Sequence, residues 1–187
     1  AIDPVLSADA DHVDMSRLVI KLFNNTGKNL SWRGSLEERT ALEVQRSLGR
    51  RCPRMGFAVI LPGYEFLLNV EHHHPYLDVL PTFSFCYWDE KAKALRPITL
   101  RQKLISMGID FNIYAEGRKI GLIDGRLVSM GHNSHIKLYD ETLAADKRFM
   151  DILLLFTCTV GFHKALIKNI RRRMKGLKGK VLNHHVV

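Results

Sequence analysis

The chain has 187 residues, enough for one compact domain with a sizeable core but tight for two. Its composition, 46% hydrophobic and 25% charged, is that of an ordinary globular protein, and three unclustered cysteines (Cys52, Cys86, Cys158) exclude a disulfide scaffold. The net charge of +9 is unevenly placed: beyond residue 160 stand Lys164, Lys168, Arg171, Arg172, Arg173, Lys175, Lys178 and Lys180 without one acid, so an attached basic element carries nearly all of it.

The opening AIDPVLSADADHVDMS is acidic and polar and lacks an apolar signal core, so residues 1–15 are expected to form a flexible lead-in. LVIKLF at 18–23, closed by NNTGK, predicts a strand and a turn. Ser35 followed by Glu38 has the spacing of a capping box and predicts a helix over 36–48, stopped at Gly49. Residues 56–70 predict two strands split at Pro62-Gly63, and HHHPYLDVLP is irregular. TFSFCYW at 82–88 alternates, with Phe83, Phe85 and Tyr87 on one face and Cys86 and Trp88 on the other.

The next stretch repeats itself: KLISMG at 103–108 returns as RLVSMG at 126–131. Each copy predicts a strand ending in a Met-Gly bend, and Glu116-Gly117 and Asp124-Gly125 predict hairpin turns. The result is a meander of strands near 98–105, 110–115, 118–123, 126–130 and 134–139. After Asp140 the period changes. Thr142 is the predicted cap of a helix that runs through Phe149–Phe162, kinks or stops at Gly161, and continues to Lys175, where GLKGK ends it.

Phe149–Phe162, FMDILLLFTCTVGF, organises the prediction. Its apolar run of about ten residues falls well short of the roughly 20 that cross a bilayer, so it reads as a helix buried in protein, with Cys158 a small buried hydrophobe. The fold class that follows is α+β: a mainly antiparallel, β-barrel-like sheet around a buried hydrophobic C-terminal helix, with a basic helical extension. One domain is expected over 16–175 and a flexible basic tail over 176–187.

Lys103-Leu104-Ile105-Ser106-Met107-Gly108, then Phe111-Asn112-Ile113, then Gly117 and Ile120-Gly121, with an apolar helix to follow, resembles the tubby-like superfamily. More narrowly it resembles the group of phospholipid scramblases and LURP-one-related proteins, over residues 98–163. The resemblance implies a closed barrel threaded by the Phe149–Phe162 helix and, for some relatives, binding of anionic lipid head groups.

The strongest functional signal is the amphipathic basic helix and tail formed by Lys164, Lys168, Arg171, Arg172, Arg173, Lys175, Lys178 and Lys180. Three readings stand: a solvated face, an intracellular module lying on an anionic membrane surface, or a nucleic-acid or acidic-protein binder. No cofactor or metal is expected. His72-His73-His74 with Asp78 has no CxxC or HExxH partner, and neighbours on a strand point apart; His132, His135, His184 and His185 are likewise without metal-ligand spacing. Cys86 lies among aromatics as a packed thiol, whereas Cys52, flanked by Arg51 and Arg54, has electropositive surroundings. Nothing points to catalysis, and a non-enzymatic binding module is the expectation.

Overall fold

A computed structural model of the chain describes residues 16–27, 29–50, 52–73, 80–104, 110–128 and 131–183, the side chains at 126–128, 131–133 and 178–183 excepted. Nine strands alternate direction in chain order, β1 (Val19–Asn25), β2 (Leu30–Glu38), β3 (Gly56–Ile60), β4 (Leu68–His73), β5 (Thr82–Asp89), β6 (Ala94–Gln102), β7 (Phe111–Ala115), β8 (Arg118–Val128) and β9 (Gly131–Leu138). Helix α1 (Thr40–Ser47) interrupts them, and α2 (Glu141–Ala144), α3 (Lys147–Val160) and α4 (His163–Asn183) complete the chain. Each strand pairs antiparallel with its predecessor, so the sheet is one nine-stranded meander. The β7–β8 hairpin turns on Glu116 and Gly117, both at positive φ. Two left-handed residues match the twist of the flanking strands, and glycine takes the second at little cost.

The expected barrel is not there. The sheet order begins at β1 and ends at β9, and among the described residues no pairing joins the two. The chain is α+β, but its sheet is open, and a closed barrel is what membership of the tubby-like superfamily requires, so that resemblance fails. The physical reason lies in α3, whose backbone packs against β1 and β2 at one end of the sheet and β9 at the other. Gly34 on β2 lets it come close: a Cβ there would stand 3.3 Å from Leu155 and 2.7 Å from Leu61.

The apolar segment does cover one face of the sheet. Phe149, Ile152, Leu153 and Phe156 are fully buried, and Phe156 meets Phe83 and Phe111 edge to face, with ring centroids 5.0 and 5.3 Å away. Alternation along β5 supplies the opposite wall, with Phe83, Phe85 and Tyr87 turned inward as predicted. One side of α3 stays open: Leu154 and Cys158, four apart, are exposed, so Cys158 is not the buried hydrophobe expected. Asp140 and Asp146, rather than Thr142, cap the helices, accepting from Leu143 N and from Arg148 N and Phe149 N. Asp146 also accepts from the Tyr87 hydroxyl, fixing the start of α3 to β5.

Four other expectations are corrected. Residues 30–38 form β2, because the segment has partners on both sides and buries Leu36 completely; α1 therefore starts at Thr40, and Ser35 and Glu38 are buried strand residues rather than a capping box. Asp124-Gly125 is not a turn: both residues sit inside β8, opposite His135 and Ser134. The first copy of the repeat lies beyond the end of β6 at Gln102, with residues 105–109 outside the described residues; the second runs from β8 to Gly131. The glycines of GLKGK also fail to end α4, whose backbone remains helical to Asn183.

Candidate anionic-ligand site

The chain bends by 70° between α3 and α4. Leu166, Ile170 and Met174, at four-residue spacing, then bury one stripe of α4, and the helix packs against α1. At 100° per residue, Lys164, Lys168, Arg171, Arg172 and Lys175 fall together on another side, where all five are exposed. They rim a groove of about 540 Å³ whose apolar contribution comes from Pro53, Ile167 and Met174. Among the described residues Lys164, Lys168, Arg171 and Lys175 have no carboxylate partner. Lys178 and Lys180 belong to the last turns of α4, with side chains outside the described residues.

Arg173 is different. It stands half a turn from the stripe, is fully buried, and donates from Nη1 to Glu38 Oε1 at 2.6 Å. A second donor, Nη2, goes to the Ser16 carbonyl oxygen, and Glu43 Oε2 lies 3.9 Å from Nη1. Glu38 in turn accepts from Leu18 N at 2.8 Å, and Glu43 accepts from Gly56 N at 2.9 Å. One guanidinium thereby ties α4 to β2, to α1 and to the segment before β1. Burial raises the Glu43 carboxyl to about 9; the Gly56 N–H opposes the rise, neighbouring Glu38 adds to it, and Arg173 opposes it. At neutral pH Glu43 is protonated, beside Glu38 and Arg173. Arg173 therefore cannot meet an outside anion with the other five.

The remaining sequence candidates do not converge. His72 is buried and stacks on Phe83, centroids 4.8 Å apart, while His73 faces the other side of β4 with Nε2 2.6 Å from Ser84 Oγ. Burial holds the His73 imidazole below its ordinary value. His74, Asp78, His184 and His185 lie outside the described residues, as does the side chain of His132; His135 is exposed on β9. Among the described residues no group of three or more His, Cys, Asp or Glu is placed to hold a metal ion. Cys52, Cys86 and Cys158 are all free and exposed, so Cys86 is not packed as expected; its strand neighbours on the same face are Ser84 and Trp88. No hydrogen bond links a cysteine to a histidine among the described residues.

No single described helix is long and apolar enough to cross a membrane; the bent pair Lys147–Val160 and His163–Leu177 passes by length and composition alone. No family model, curated protein or solved structure matches the chain.

Two features escaped the sequence reading. The carboxylates of Glu38 and Glu43 look like ordinary surface acids until α4 docks over them. Arg173 had a signal: seven residues after Leu166 and three after Ile170, it shares their stripe rather than that of Arg171 and Arg172.

Proposed function

We propose that the chain is a non-enzymatic binding module that lies on anionic membrane surfaces through the exposed stripe of α4. The observation that carries this reading is the mixed character of the groove, five cations around Pro53, Ile167 and Met174. A purely ionic partner engages the rim alone, whereas an anionic amphiphile also shields the apolar surface between the cations. Each basic residue near such a surface contributes about 1 kcal/mol, so the stripe together is enough for reversible attachment. Long basic side chains suit this placement, because their stems rest on apolar surface while their heads meet phosphates.

The test is cosedimentation with vesicles of phosphatidylcholine alone and with added phosphatidylserine. The protein is expected to pellet only with the anionic vesicles, and the K168E/R171E/R172E variant, altered at exposed positions, to stay in solution. Equal pelleting of that variant overturns the reading. So does absence of vesicle binding together with salt-sensitive retention on nucleic acid, the outcome that assigns the same stripe to phosphodiester backbones.

A further inference from the structure

A second set of cations gathers where α1 ends, apart from the α4 stripe. Ser47, fully buried, grips the following segment twice: its carbonyl oxygen accepts from Arg50 N at 3.0 Å, and its Oγ accepts from Arg54 N at 2.8 Å. So held, Arg50 and Arg54 join Arg46 along a groove of about 240 Å³ completed by Met55, Glu71, His72 and His73.

Three guanidinium groups share this groove with one carboxylate. Arg46 is paired with Glu71, and Arg54 Nη1 donates to the His72 carbonyl oxygen at 3.3 Å. Arg50 has no acidic partner among the described residues. Burial lowers the Arg54 guanidinium from its ordinary value, and the charge of Arg50 lowers it further, against a smaller opposing effect of Cys52. His73, also held down, adds no further positive charge. One cation is enough to answer the C-terminal dipole of an eight-residue helix. Like charges beyond that raise the energy of the groove until an anion enters it.

We propose that the groove between the end of α1 and β4 binds a phosphate dianion, free or as the monoester of a small molecule or lipid head group. Arg50 and Arg54 supply the clamp, and Arg46 its flank. A guanidinium is planar and presents two parallel N–H donors, the match for two oxygens of one phosphate. The site adjoins the α4 groove but shares no lining residue with it: Pro53 lines that groove, and the next residue, Arg54, lines this one.

The experiment titrates the intact chain with inorganic phosphate, and separately with phenyl phosphate, against sodium chloride of equal ionic strength. Arginine Nε–Hε resonances are followed by NMR. Saturable shifts at Arg50 and Arg54 are expected, weakened by about tenfold or more in Arg50→Gln and unchanged in Lys168→Glu. Arg50 is exposed, so its replacement tests the site without the loss of the His72 contact that Arg54→Gln entails. A parallel arm uses vesicles carrying phosphatidic acid, a monoester lipid. Arg50-dependent binding of phenyl phosphate identifies a soluble source; Arg50-dependent binding to those vesicles alone identifies a head group. Non-saturating shifts, or wild-type binding by Arg50→Gln in every arm, overturn the proposal. Because Lys168→Glu reports on α4 and Arg50→Gln on this groove, either reading can fail without the other.

Discussion

Helices α3 and α4 follow one another across a single bend, yet they are held by opposite means. α3 is seated by volume: Phe149, Ile152, Leu153 and Phe156 fill the covered face of the sheet, and its two ion pairs among the described residues, Arg33 with Asp151 and Arg148 with Glu90, keep their arginines partly exposed. α4 has a thinner apolar stripe and is seated by charge, with Arg173 buried between Glu38 and Glu43. Packing tolerates changes of pH and salt, whereas a buried ionic cluster depends on the protonation of each member and fails sharply when one is removed. The contrast extends to function. A helix fixed along one side by a buried arginine can leave its other side entirely to the solvent, which is what the stripe of α4 requires.

The contrast is sharpest in the loss of single side chains. Arg173→Ala leaves Glu38 buried without its cation and is expected to cost about 3–5 kcal/mol in chemical denaturation. A variant that also carries Glu38→Gln and Glu43→Gln should recover much of that loss. Failure to recover would mean that Arg173 contributes through packing rather than charge. Phe156→Ala removes a ring from the aromatic cluster and should cost about 3–5 kcal/mol by the same measurement, through the cavity it leaves. No second substitution of a charged residue should rescue it, and its cost should not vary with pH.

The effect most specific to the seating of α4 is its dependence on pH. In the folded chain the Glu43 carboxyl titrates near 9, above its unfolded value of 4.5. Between those values the folded state holds a proton that the unfolded state has released, so this contribution is complete below about 4.5 and declines as pH rises toward 9. Denaturation midpoints should therefore fall from pH 5 to pH 9 in the wild type. The slope should flatten in Glu43→Gln, which cannot release that proton. An unchanged slope would place the proton elsewhere.

Much of this fold was legible because its determinants are local. TFSFCYW declares an inward and an outward face by alternation alone, Glu116-Gly117 declares a turn, and an apolar run as dense as ILLLF must be covered by something. The misreadings arose where a local signal met a non-local competitor. Ser35 and Glu38 have capping-box spacing, but β1 and β3 flank them and claim them for the sheet. Asp124-Gly125 has turn chemistry, yet Gly125 N finds Asp110 Oδ1 at 3.0 Å and the strand continues. Whether a sheet closes depends on residues more than a hundred positions apart, and no short motif carries that. The candidate site was legible as a charge run; its division into five outward cations and one inward arginine was written in helical spacing but needed Glu38 and Glu43 to be placed first.

The order of the strands bears on how the chain is made. Each strand pairs with the one synthesised just before it, so the hairpins can form as they leave the ribosome. The lid over their greasy side comes last: Arg33 waits 118 residues for Asp151, and Glu38 waits 135 for Arg173. Until α3 docks, a nascent sheet presents Phe57, Phe83 and Phe111 to the solvent, so the apolar face of the strands stays uncovered until the chain from Lys147 onward has emerged.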